Sequence, residues 1–338
     1  MNTAAASTLA APWPATRLAT DEPVQPMALP SAESGLRYAW RYWSARMASV
    51  SSPHRLRPHC GAHYSAPFEL TASLRERWAD LFDERRGPSG VTYPFLCAQS
   101  VITLLHSRIF ADLGVNVSHV LHLRQGMRLA SGVDAGSLSA CGGQTVDSAL
   151  ARVVRIGPTE VLVIVNTRIA DARGAWVADI EDSFVVRRLE VAYAVQAEED
   201  DAVRRAVSRL RRRGPDIDPL APGVRARQLY LAPSVTRRFG RVAGERQSTP
   251  LLPLPPRLFG LRRPVVQRAY LRNLVVRELS EWGLDLRELQ IVFAARARIG
   301  QTLRLMEFGG RFELFDEAGR LVAYGRASGA ATSAPAAS

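Results

Sequence analysis

Three long runs, residues 138–156, 160–171 and 175–189, are rich in valine and are broken only by turn residues at Gly157-Pro158 and Arg173-Gly174. Strands joined so tightly can pair only antiparallel, because a parallel pairing needs a crossover of about a dozen residues or more. Such a sheet needs an apolar cover, and the stretch upstream supplies one. Residues 94–113 are apolar with helical character and Gly114 ends them; a strand at 118–124 follows, ending at Gln125-Gly126. The expected unit is one helix on an antiparallel sheet.

The same order then returns. A helix over 264–282 stops at Gly283, and a strand follows over 289–298 up to Gly300. Strands over 302–308 and 311–316, a turn at Glu317-Ala318-Gly319 and a strand over 321–327 complete the second copy. Gly126 in one half matches Gly300 in the other. The repeat predicts a pseudo-two-fold protein of two similar lobes. The charged stretch 198–214 and the Pro215-Asp216-Ile217-Asp218-Pro219 segment read as a linker. The expected boundaries are a disordered leader 1–33, an N-terminal lobe 34–197, a linker 198–222, a C-terminal lobe 223–327 and a disordered tail 328–338. Short helical patterns at 36–47 and 67–86 precede the first unit.

Composition narrows the chemistry. All 44 Lys+Arg residues are arginine, which excludes a lysine Schiff base, a lysine general base and a lysine-dependent phosphate loop. The net charge of +12 is scattered except for one run, Arg209-Leu210-Arg211-Arg212-Arg213, with no aromatic residues interleaved. Nucleic acid is therefore not the expected partner. Three cysteines, Cys60, Cys97 and Cys141, have no paired spacing, and no run is long and apolar enough to span a membrane. The cytoplasm is the default location. His54, His59, Cys60 and His63 cluster in a pattern that fits no usual zinc site, so no metal is expected. All six histidines lie between His54 and His122. His106, inside the first apolar helix, can face the core or a pocket. Of His119 and His122, three apart, strand alternation lets only one face a pocket.

Residues 239–270, FGRVAGERQSTPLLPLPPRLFGLRRPVVQRAY, carry a more specific signal. Gly244, then Arg257-Leu258-Phe259-Gly260-Leu261, then Arg263-Pro264-Val265 keep the spacing of a glycine-led loop, an R-L-F-G-F core and an R-P-I turn into a helix. In this the chain resembles the MaoC-like, or hydratase-2, hotdog enzymes that hydrate or dehydrate (R)-3-hydroxyacyl thioesters. TYPFLCAQSVITLLH, which begins one residue before Tyr93, and VLHLRQ, which contains His122, resemble parts of the N-terminal lobe of double-hotdog members.

The resemblance implies an α+β double hotdog: two lobes, each with a long central helix packed on an antiparallel sheet, the sheets joined across the middle. It implies that Glu245 stands at the family's catalytic aspartate position and Gln247 at that of the asparagine. Ser248 takes the place of the proline and Pro250 that of the catalytic histidine. Gln267-Arg268-Ala269 replaces H-G-M at the helix start. Since Pro250 offers no side-chain acid or base, the implied site is an altered one, with Glu245 and Gln247 as its catalytic groups. Gln267, Arg268, Ser248, Tyr93 and His122 are the implied thioester-binding groups. The implied ligand is an acyl thioester of coenzyme A or of an acyl carrier protein, without a further cofactor, and a homodimer of double lobes is compatible with the fold. An enoyl-thioester hydratase or 3-hydroxyacyl-thioester dehydratase with altered catalytic groups, a catalytically silent thioester-binding or partner-binding protein, and a hotdog thioesterase all stay open.

Overall fold

A computed structural model describes residues 25–26, 56, 61–69, 71–82, 98–130, 133, 143–194, 197–212, 214–243, 265–284 and 286–328. Its centre is one continuous twelve-stranded sheet. The first lobe contributes β2 (His63–Phe68), β3 (Val120–Leu129), β4 (Gln144–Gly157), β5 (Glu160–Ala170) and β6 (Trp176–Val186), preceded by a short β1 (Gln25–Pro26). The second lobe contributes β8 (Arg225–Tyr230), β9 (Glu288–Phe293), β10 (Thr302–Phe308), β11 (Arg311–Phe315) and β12 (Leu321–Ser328). The strand order is β1-β2-β4-β5-β6-β3-β9-β12-β11-β10-β8. The lobes join where β3 pairs antiparallel with β9, Gly126 opposite Gln290 and Met127 opposite Leu289. Two sheets that each needed an edge partner thus cover one another.

Each lobe packs one long helix on the same face of this sheet. In the first it is α2 (Gln99–Asp112), reached through α1 (Ala72–Phe82); in the second it is α6 (Arg268–Glu281), which follows α5 (Val235–Val242) in the chain. Both helices bury residues all round, Leu105 and Ile109 in α2 and Val275 and Leu279 in α6 being fully enclosed. Each such side chain contributes roughly 1.5–3 kcal/mol through burial. Both end in the same cap: Gly114 and Gly283 take positive φ, at 69° and 79°. The following amides, Val115 and Leu284, bond back to Phe110 and Leu279 at 2.9 and 3.1 Å. This is the Schellman arrangement that glycine favours, so the helix stops expected from the glycines are present in both lobes. The two similar lobes expected from the repeat, and the α+β double-hotdog architecture implied by the resemblance, are the ones observed.

Several boundaries differ from expectation. β3 runs through Gly126 to Leu129 instead of stopping there, since its far edge is paired to β9 and needs no break. Gly126 and Gly300 are accordingly not equivalent: the first is mid-strand, while the second has φ of 73° in a turn. β9 ends at Phe293 rather than near 298, and α6 begins at Arg268 rather than near 264. β2 occupies the start of the stretch expected as helical from residue 67, leaving α1 to begin at Ala72.

The stretch expected as a linker carries β7 (Glu198–Glu199), which pairs with β4 beyond the short α3 (Val191–Ala194), and then α4 (Asp201–Arg212). Val203 and Val207 of α4 are buried in a second apolar cluster with Val154, Leu162, Ile164 and Val185. Strand alternation puts those positions on the sheet face opposite α2. A charged helix with an apolar stripe is therefore a lid on the back of the sheet. Among the described residues no helix is long and apolar enough to cross a membrane. The expected helix at 36–47, the leader apart from Gln25 and Pro26, and the tail apart from Ser328, which ends β12, lie outside the described residues.

Candidate functional site

A cavity of about 390 Å³ lies between the lobes, walled by α2, β3 and β6 on one side and by the start of α6 on the other. Gln99, Thr103, His106 and Phe110 line it from α2. Their spacing of four, three and four residues makes one helical stripe. β6 contributes Asp182 and Phe184, and β3 contributes His122 and Gln125.

His122 and Gln125 should face opposite sides of a regular strand, being three residues apart. They share the cavity face because β3 is bulged. His122 pairs with Phe184 and Arg124 with Ser183, so Leu123 is the extra residue and turns into the cluster on the far face. The shift brings two polar side chains to one wall, as bulges beside functional sites do.

The centre of the site is Asp182, which is 1% exposed. Its Oδ1 lies 2.7 Å from His122 Nε2 and accepts a hydrogen bond of 2.7 Å from Gln125 Nε2. Its Oδ2 makes no hydrogen bond among the described residues and lies 3.9 Å from His106 Nε2. Burial pushes the Asp182 carboxyl up. The His122 contact, with the charge of a protonated His122 ring and that of Arg272, outweighs burial and holds it below its ordinary range. Asp182 is thus a carboxylate. The His122 ring sits between Phe184 and Phe293, with centroids 4.7 and 5.1 Å away. The two rings fix its plane against the carboxylate.

His106 is different. Burial drives its pKa down to about 4, with Asp182 opposing and His122 adding to the shift. It stays neutral at ordinary pH and shares a 3.1 Å hydrogen bond with Thr167, whose hydroxyl lies 2.8 Å from that of Ser148. Its part is to pack beside Asp182 without bringing a charge.

From the second lobe, Arg272 reaches across with 1% exposure. Its guanidinium donates to Gln125 Oε1 at 2.8 Å, Gln99 Oε1 at 2.9 Å and Asn273 Oδ1 at 2.8 Å. Gln125 therefore links Arg272 to Asp182, and the two buried charges offset one another through an amide. Gln267, the N-cap of α6, makes no cap bond through its side chain. Its Nε2 donates to the Thr236 carbonyl at 3.3 Å, and its buried Oε1 has no partner among the described residues. The start of α6 thus lines the cavity without a side-chain cap, and the polarity of a helix N-terminus suits negative charge. Arg268 donates to the backbone carbonyl of His122 and lies over the Phe293 ring, 5.6 Å from its centroid.

Of the residues expected at the site, Gln267, Arg268 and His122 meet in this cavity. Glu245, Gln247, Ser248, Pro250 and Tyr93 lie outside the described residues. Arg209 and Arg211 belong to α4 on the opposite face of the sheet, where Arg211 pairs with Glu160 at 2.8 Å, so these two arginines do not approach the cavity. Among the described residues no group of three or more His, Cys, Asp or Glu could hold a metal ion. Of the early His and Cys cluster only His63 is described. Sequence reasoning missed Asp182, Gln125 and Arg272. The available signal was a polar break, Glu181-Asp182-Ser183, in the middle of a valine-rich strand; Arg272 lies in a helix with several other charged residues and gave none.

No protein-family model matches the chain, and no curated protein matches it in sequence. The likeness is three-dimensional. HtdX of Mycobacterium tuberculosis superposes with a TM-score of 0.56 at 14% identity, covering 79% of this chain and 100% of that one. The MaoC-like dehydratase from Phytophthora capsici gives 0.53 at 16% identity, covering 84% and 99%. The full-length peroxisomal multifunctional enzyme type 2 from Drosophila melanogaster gives 0.54 at 14% identity; the match covers 79% of this chain but only 48% of that longer one. At these identities the likeness is one of fold, and the fold of this chain is the double hotdog of the MaoC-like dehydratase structures.

Proposed function

We propose that the cavity binds an acyl thioester of coenzyme A or a carrier protein and adds water to its 2-enoyl form, or removes water from the (R)-3-hydroxyacyl form. The observation that carries this reading is the pairing of His122 with the ionised Asp182 on the wall that faces the uncapped start of α6. In hydration, the imidazole takes a proton from water as its oxygen bonds to the β-carbon. Electrons move toward the thioester oxygen, where the first-turn amides of α6 stabilise the enolate. The imidazolium, held by Asp182, then returns its proton to the α-carbon. Dehydration is the same path reversed.

In this reading the catalytic set is altered by relocation: with proline at position 250, the first lobe supplies the histidine and carboxylate. Glu245 and Gln247 stay candidates for holding a second water. The test follows the loss of conjugated-thioester absorbance with short, medium and long trans-2-enoyl-coenzyme A substrates, using the unaltered chain, His122→Ala and Glu245→Ala. Turnover lost with His122→Ala and kept with Glu245→Ala supports the relocated pair. Turnover lost only with Glu245→Ala moves the chemistry back to the loop. No turnover by the folded, unaltered chain leaves a thioester-binding protein in place of an enzyme.

A further inference from the structure

Arg268 and Arg272 stand one turn apart on α6 and both line the cavity, yet their surroundings are unlike. Arg272 is surrounded by amide oxygens and is offset by Asp182 through Gln125. Arg268 has no carboxylate partner among the described residues; its one hydrogen bond goes to the His122 carbonyl. Its charged neighbours are Arg296 and Arg187. Burial, first, and then these two cations lower its pKa to about 10. Arg187 has a counter-ion in Glu160 at 3.1 Å, whereas Arg296, which also lines the cavity, has no ion pair among the described residues. With His106 neutral and Asp182 set against Arg272, the charges of Arg268 and Arg296 are unopposed among the described residues.

A largely buried guanidinium without a counter-ion is a standing cost to the fold. It makes sense where a ligand brings the anion. We infer that the cavity selects an acyl thioester whose acyl part ends in a second, free carboxylate, and that Arg268, with Arg296 beside it, holds that carboxylate. The inference rests on the thioester reading given above. A neutral acyl chain would leave both cations unmatched. The phosphates of a coenzyme A or carrier protein lie at the far end of the pantetheine arm, whereas Arg268 is bonded to the very residue whose imidazole faces the reacting carbons. Nη1 is engaged with the His122 carbonyl, so Nε and Nη2 are left to grip the carboxylate. The Phe293 ring under the guanidinium holds it in place.

Calorimetric binding of glutaryl-coenzyme A and pentanoyl-coenzyme A, which share a skeleton and differ in the terminal carboxylate, tests this without turnover. The unaltered chain should bind the glutaryl thioester about tenfold or more tightly than the pentanoyl one, the worth of a charge-assisted hydrogen bond. Arg268→Gln should bring the two within about twofold, Arg268→Lys should restore part of the preference, and the exposed Arg296→Gln should reduce it. Arg268→Gln should also raise the thermal unfolding midpoint of the unliganded chain, because an unmatched buried charge is removed. Equal binding of both thioesters by the unaltered chain overturns the inference. So does an Arg268→Gln loss of equal size for both, which would place a carrier phosphate at Arg268. A glutaryl preference without turnover of any enoyl thioester, fumaryl-coenzyme A included, would refute water addition and leave the carboxylate site standing. Turnover of crotonyl-coenzyme A with no such preference would do the reverse.

Discussion

The two central helices, α2 and α6, hold equivalent places in their lobes, end in the same glycine cap and are buried all round, yet they carry opposite chemistry. The polar positions of α2 that reach the cavity are Gln99, Thr103, His106 and Ser107, all neutral. Those of α6 are Gln267, Arg268 and Arg272, two of them cationic. The proposed acid–base pair, His122 and Asp182, stands on first-lobe strands, and the second lobe has no histidine at all. Under the proposed function, one scaffold used twice is divided: the first lobe supplies groups that move protons, and the second supplies positive charge. Neither lobe alone closes the site, since Arg272 reaches across to donate to Gln125 and Gln99 of the first lobe as well as to its own neighbour Asn273.

The division is broken most directly at His122. His122→Ala should lower kcat on an enoyl thioester by about 10²- to 10⁴-fold, the usual worth of a proton-transfer group. Asp182→Asn should cost a similar factor by leaving the imidazolium without its carboxylate. A loss confined to KM would show that the first lobe only binds. Next in size is the link between lobes. Arg272→Met removes the counter-charge of Asp182 and strands three amide oxygens, so unfolding in denaturant should register a loss of roughly 3–5 kcal/mol.

His106 sharpens the comparison through pH. In the folded chain it stays neutral down to about pH 4, while the unfolded chain protonates it near 6.5. The unfolded state therefore binds the additional proton between those values, and stability falls as pH drops through that window, by roughly 3 kcal/mol in all. His106→Asn should flatten that part of the stability–pH curve; an unchanged curve would mean that the ring is charged in the fold.

The smallest effects concern two strand glycines, one in each lobe. A Cβ at Gly325 of β12 would overlap the Gln290 carbonyl oxygen and come within 2.6 Å of the Phe312 ring. A Cβ at Gly126 of β3 would meet only an Arg124 nitrogen at 4.0 Å. Gly325→Ala should cost about 1–3 kcal/mol and Gly126→Ala within about 0.5 kcal/mol, as judged by thermal unfolding. Equal costs would mean that the seam between the lobes is as tightly packed as the second lobe's interior.

Much of the fold was legible because its signals are local. Gly114 and Gly283 stop helices through their own φ, and the valine-rich runs declare strands by composition and length. The α4 helix was misread because its charges outnumber its apolar residues: only Val203, Val207 and Leu210 face the sheet, and a helix covering one face needs few more. The site was less legible. His122 and Arg268 could be singled out, but Asp182 could not, since a carboxylate inside an apolar strand has no meaning until its neighbour across the ladder is known.

The sequence by itself determined the two-fold repeat of helix and antiparallel sheet, the glycine caps, and the confinement of every histidine to the first lobe, because periodicity, capping and composition act within a few residues. The tertiary structure alone decided that β3 and β6 pair with a bulge at Leu123, which puts His122, Gln125 and Asp182 on one wall. It alone decided that Arg272 crosses from the other lobe to meet them and that Arg268 has no carboxylate partner among the described residues. A one-residue shift in register reverses which face a side chain takes, and the burial that sets a charge's cost is a property of the packed lobes together.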